Sequence, residues 1–126
     1  MKGTGSAELA LFLTTAPDEA SAVRLARTLL EERAIACANL LPALTALFYW
    51  EGEVREESET LLLLKAPMAQ AERVEQRLAE LHPYDVPEIA RLEAAVNHPY
   101  ARWMDEVTSG PLRRRTLLRR NEETQR

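Results

Sequence analysis

Three side chains in this sequence carry an imidazole or a thiol: Cys37, His82 and His98. A closed structural zinc site takes four Cys or His ligands, so one chain cannot build that version. A looser set of Cys37, His82 and a carboxylate such as Glu88 would offer soft thiolate and imidazole donors, which suit copper or zinc. Their spacing is not a metal signature, and Cys37 also reads as an inert thiol at the end of a helix. The densest local cluster is His82-Pro83-Tyr84, with Pro87-Glu88 behind it. Two prolines would hold an imidazole, a phenol and a carboxylate on a stiff loop, as acid–base or ligand-binding groups require. The same stretch reads as a rigid helix-to-strand connection, with His82 near a helix C-terminus, where a cation is favoured. An enzyme would use His82, Tyr84 and Glu88 as acid–base groups, but no nucleophile–base pair is visible.

Composition removes several other chemistries. Gly3, Gly5 and Gly110 lie in the terminal segments, leaving Gly52 alone in the body. Loops that cradle phosphates need several glycines for close backbone approach, so a P-loop or dinucleotide fingerprint is excluded. Residues 111–126 hold six arginines against two glutamates, while residues 1–110 hold ten basic against eighteen acidic residues. Such an acidic body is a poor surface for phosphate backbones. Phe48, Tyr49 and Trp50 could form an RNA-stacking platform, but with that charge and no neighbouring Lys or Arg they read as core packing. The basic tail reads as a solvated extension, with an acidic partner as the alternative. No apolar run approaches the roughly 20 residues of a membrane span, and no membrane or nucleic-acid partner is expected. The start lacks the order of a secretory signal. A single cysteine permits no intrachain disulfide, so the expected compartment is the reducing cytoplasm.

At 126 residues, 46% of them apolar, the chain is one globular domain. A flexible start over 1–7 leads to a domain over 8–109 and the extension over 110–126. Glu8–Thr15 reads as a strand that is apolar on both faces, and Asp18 as the N-cap of a helix running to Arg33–Ile35. Val23, Leu25, Ala26, Leu29 and Leu30 supply its apolar positions. Asn39–Pro42 leads into a strand over Ala43–Trp50. Glu51-Gly52 is a hairpin signal of the mirror-image type, with a return strand over Glu53–Ala66. Ala71, Val74, Leu78 and Leu81 form the buried stripe of a helix over Met68–Leu81. A strand over Glu88–Val96 and a short helix from Asn97 follow. Tyr100, Trp103, Met104 and Val107 share one side of that helix, the two aromatics as packing anchors.

The order βαββαβ predicts an α+β, ferredoxin-like sandwich with two helices on one face of a four-stranded antiparallel sheet. Strands in such a sheet should alternate apolar and polar residues. Here the second strand has Leu44, Ala46, Phe48 and Trp50 on one side and Ala43, Leu47 and Tyr49 on the other. The third carries leucines on both sides. A patch of this size rarely stays wet on a monomer, which predicts a homo-oligomer.

With these segments in place the sequence resembles the CutA family, the divalent-cation-tolerance proteins. The resemblance rests on Thr14–Glu19, Glu32–Asn39, Tyr49-Trp50-Glu51-Gly52 with Glu59 downstream, Leu81–Tyr84, Val86–Ile89, and the pair Tyr100 and Trp103, across roughly residues 8–107. It implies a tight homotrimer with the hairpin strands packed between subunits, and a cytoplasmic bacterial protein linked to tolerance of copper and other divalent metals. It also implies a likeness to PII-type signalling proteins, with ligand clefts between subunits. Copper binding in the family is linked to a cysteine just before the Thr-Ala-Pro stretch and to the positions of Cys37, His82 and Glu88. The first of these is Thr14 here, a poor soft-metal ligand. The cleft would be built from Asn39, Trp50, Glu59, Lys65, His82, Tyr84 and Glu88. The resulting expectation is a non-enzymatic trimer binding divalent metal or a small ligand. The alternative is a PII-like adaptor binding a small anionic metabolite and a partner protein, motivated by Lys65 and His82.

Overall fold

The computed structural model describes residues 7–109. The expected flexible start, apart from Ala7, and the extension from 110 lie outside the described residues. The elements are β1 (Ala7–Ala16), α1 (Glu19–Glu31), β2 (Cys37–Trp50), β3 (Glu53–Pro67), α2 (Ala71–Leu81, entered through a 3-10 turn over Met68–Gln70), β4 (Ala90–Val96) and α3 (His98–Thr108). The four strands form one antiparallel sheet in the order β2-β3-β1-β4. This is the split arrangement that the βαββαβ order predicts.

Local chemistry sets the boundaries. Asp18 is extended, and its Oδ1 accepts the Ser21 amide at 2.7 Å, so it caps α1 as expected. The helix stops at Glu31, short of the expected end, because Arg33 turns left-handed at φ 60°. Ala34 N–H then reaches the Leu29 carbonyl and Arg33 N–H the Leu30 carbonyl, closing the last turn without a glycine. The Arg33 side chain uses that position to donate to the Val107 carbonyl at 2.9 Å, tying α1 to the end of α3. Arg73 and Arg77 tie α2 to the same corner. Arg73 donates to the Glu32 carbonyl at 2.6 Å, and Arg77 grips the Glu32 carboxylate with two bonds of 2.8 and 2.6 Å. The guanidinium contact holds Glu32 below the ordinary carboxylate range.

The hairpin turn is of the predicted type, with Glu51 at φ 52° and Gly52 at φ 81° between the pair Trp50 and Glu53. Its first strand differs from expectation. β2 begins at Cys37, six residues before Ala43, and Asn39–Pro42 is part of it rather than a lead-in. The register passes from Leu41 opposite Leu61 to Leu44 opposite Glu59, so Pro42 and Ala43 together face one residue. A bulge on an edge strand tolerates a proline, and Ala43 takes a left-handed φ of 62° to make it.

The helix-covered face of the sheet is dry. Ala10, Phe12, Ala16, Leu62, Leu64 and Ala66 have no exposed surface, and Ala22, Leu25, Ala26, Leu29, Val74 and Leu78 close over them. Val23 and Leu30, expected among the apolar positions of α1, are more than a third exposed because the stripe runs through Ala22 instead. The second face is not wholly open. α3 folds across one end of it, where Met104 joins Leu9 and Ala36 in a smaller cluster with Tyr100, Ala94 and Val96. Trp103, expected to anchor with Tyr100, remains 41% exposed beside it. The rest of that face, with Leu41 61% and Leu92 49% exposed, has no cover among the described residues.

Candidate functional site

The bulge in β2 keeps Leu41 and Leu44 on one side of the sheet, and period-two alternation carries Ala46, Phe48 and Trp50 with them. Their cross-strand partners Glu59, Glu57, Arg55 and Glu53 share that side. The hairpin thus presents an apolar and aromatic rail beside a charged one. Opposite it stands the loop between α2 and β4, where Pro83 and Pro87 prevent helix and β4 starts at Ala90 rather than Glu88. Tyr84, Asp85, Val86 and Glu88 project from this loop, and between loop and hairpin lies a cavity of about 520 Å³.

His82 anchors the loop. It is 8% exposed at the end of α2, and its Nδ1 accepts the Tyr84 amide at 3.1 Å. Its Nε2 lies 2.9 Å from the Thr15 carbonyl and 3.0 Å from Thr14 Oγ1. An amide only donates and a carbonyl only accepts, so the imidazole is neutral, with its proton on Nε2 and its lone pair spent on Tyr84. Burial holds its pKa below the usual histidine value, against the opposing pull of the Thr15 carbonyl and the Glu59 charge. Tyr84, oriented by that bond, donates its hydroxyl to Glu59 Oε2 at 2.6 Å. Burial, with the Glu59 contact and charge, pushes the phenol well above its ordinary value, so it stays a donor. Glu59 itself is 9% exposed.

Of the residues expected in a cleft, Trp50, Glu59, Tyr84 and Glu88 line this cavity, with His82 as the post behind it. Asn39 and Lys65 do not. Lys65 is six residues along β3 from Glu59, roughly 20 Å away, and its ammonium sits 6.0 Å from the Tyr100 ring centroid. Cys37 pairs with Lys65 at the same distant end, its Sγ 3.9 Å from Asn39 Oδ1. Cys37, His82 and Glu88 are therefore not gathered within one chain. Among the described residues no three His, Cys, Asp or Glu side chains converge as a metal site. Thr14 stands against His82, but as a hydroxyl beside an imidazole with no lone pair to give. The soft donor set does not fit copper within a single chain.

Arg55, Glu57, Asp85 and the apolar Leu44 and Val86 were not among the expected cleft residues, yet they line the cavity. Stepping back by twos along β3 from Glu59 reaches Glu57 and Arg55, so the strand period held that signal. The hairpin aromatics also depart from the expected core role. Phe48 is half-buried, but Trp50 is 44% and Tyr49 77% exposed, because no element among the described residues covers the distal hairpin.

A family model described as CutA1 divalent ion tolerance protein matches residues 10–107. The divalent-cation tolerance protein CutA of Thermus thermophilus is 43% identical over 99 residues, spanning 78% of this chain and 96% of that protein. Among solved structures, CutA1 from Pyrococcus horikoshii aligns with a TM-score of 0.76 at 42% identity, covering 80% of this chain and 99% of that one. CutA1 from Ehrlichia chaffeensis aligns with a TM-score of 0.78 at 29% identity, covering 80% and 95%. The resemblance read from the short motifs and the fold built from them agree: the chain belongs to the CutA1 divalent ion tolerance family.

Proposed function

We propose that this chain is a non-enzymatic protein of the cytoplasmic response to divalent metal ions, acting as a homotrimer whose clefts bind metal or a small ligand. The observation that carries the assembly is the uncovered apolar surface on both sides of the distal hairpin and across the sheet. Leu41, Leu47, Tyr49 and Val54 are each more than 60% exposed. Tyr49 and its cross-strand partner Val54 are not part of the cavity wall, so a neighbouring chain has to wrap the hairpin to shelter them. A non-catalytic role is supported by how the polar groups are spent: His82 is committed to backbone partners and Tyr84 to Glu59.

The metal arm rests on the family's role and on donors that stand apart in one chain, so a direct copper site would be shared between subunits. Calorimetric titration of copper into wild type, Cys37→Ser and His82→Ala tests it. A stoichiometric isotherm that weakens in either variant is expected, and three identical weak isotherms would remove direct copper binding. The small-ligand arm, which includes a PII-like adaptor, is favoured by the size and apolar wall of the cavity. Its anionic version finds no cation within one chain beyond Arg55, because Lys65 lies away from the cavity and His82 is neutral, so it too would draw on a neighbouring subunit.

A further inference from the structure

We infer that the cavity between the hairpin and the 83–88 loop takes a small organic cation, an amine or guanidinium on an aliphatic body, with Glu59 as its main anchor. The inference deepens, and rests on, the reading of this cavity as a ligand site. Glu59 is nine-tenths buried, yet only its Oε2 has a partner, the Tyr84 hydroxyl; among the described residues nothing donates to Oε1. A buried carboxylate oxygen without a donor is costly, and an N–H from a bound cation satisfies it.

The surrounding charge selects the sign of that ligand. Glu57, Asp85 and Glu88 line the same cavity, and among the described residues none has a basic partner. The lining's one cation, Arg55, is drawn to the hairpin tip, where it lies 3.7 Å from Glu51 and 3.8 Å from Glu53. Four carboxylates against one guanidinium repel anions and concentrate cations. A point ion fits poorly, because these carboxylates line different walls and no three of them converge. A ligand with N–H donors separated by methylenes matches that spread. Leu44 and Val86 offer surface for the methylenes, and Phe48 and Trp50 offer ring faces for the cation.

The test compares probes of equal length and different charge on the full chain, by calorimetry and thermal shift: cadaverine, the corresponding pentanediol, glutarate, and zinc. Cadaverine is expected to bind saturably and raise the melting temperature, while the diol and glutarate leave it unchanged. Glu59→Gln should weaken cadaverine by about tenfold or more. The exposed Glu88→Gln, which leaves Glu59 and the fold untouched, should weaken it severalfold and keeps the test open if the first variant fails to fold. Cadaverine binding indifferent to both variants overturns the inference. So does glutarate or diol binding as tightly, which leaves a ligand site of another class. Zinc binding with no cadaverine binding overturns it in favour of an ion site. Silence from every probe overturns the inference together with the ligand site itself.

Discussion

Leu61, Leu62, Leu63 and Leu64 are neighbours in one strand, yet they meet two different environments. Leu62 and Leu64 lie under α1 and α2 with no exposed surface, whereas Leu61 and Leu63 face the other way and are only half-buried. The contrast extends across the sheet: Ala10, Phe12 and Ala66 belong to the dry face, Leu41 and Leu92 to the wet one. The residue types are the same, so hydrophobicity does not separate the faces; cover does. Among the described residues, two helices cover one face and only the short α3 a corner of the other. A strand that is apolar on both sides thus carries a demand that the described residues meet on one side.

Truncating one leucine on each face separates the two environments. Leu62→Ala should cost roughly 2–5 kcal/mol of unfolding free energy, at any protein concentration, because it opens a cavity in a closed core. Leu63→Ala should cost less in the isolated chain, and its penalty should appear as weakened assembly that grows on dilution. Equal, concentration-independent losses in denaturant titrations would erase the distinction between the faces.

A smaller effect sharpens the contrast at the site. His82 is held neutral inside the fold, its pKa below the ordinary value of 6.5, while an unfolded histidine takes up a proton near that value. The unfolded state therefore binds more protons as pH falls, so this contribution is complete above about pH 6.5 and is lost below it, levelling once the folded imidazole also protonates. Wild type should lose stability on acidification from pH 7 to 5, and His82→Gln should lose that part of the slope. Parallel pH profiles would show that the imidazole does not lock the loop in its neutral form.

The sequence pattern reveals the α+β order, the hairpin turn and the Asp18 cap, because each rests on local chemistry within a few residues. It hides what depends on distant partners. Pro42 reads as a break, and only the pairing with β3 shows that an edge bulge absorbs it. The apolar side of α3 is visible in Tyr100 and Met104, but not which surface it seeks. At the site, Trp50, Glu59, Tyr84 and Glu88 converge as the motifs suggest. Lys65, Asn39 and Cys37 share strands with them but lie at the far end, a separation set by strand rise rather than by residue type. Arg33 is the clearest hidden device. Nothing in its type announces a left-handed turn, and its reward is a guanidinium reaching α3, 74 positions away.

On the proposed assembly, copies of the same chain shelter the wet face and the distal hairpin. Light scattering of the purified chain across a dilution series, with and without copper, measures this directly. The expected mass is that of three chains, held to low concentration and unchanged by the metal. A folded protein with the mass of a single chain, its Leu47 and Tyr49 open to solvent, would contradict it.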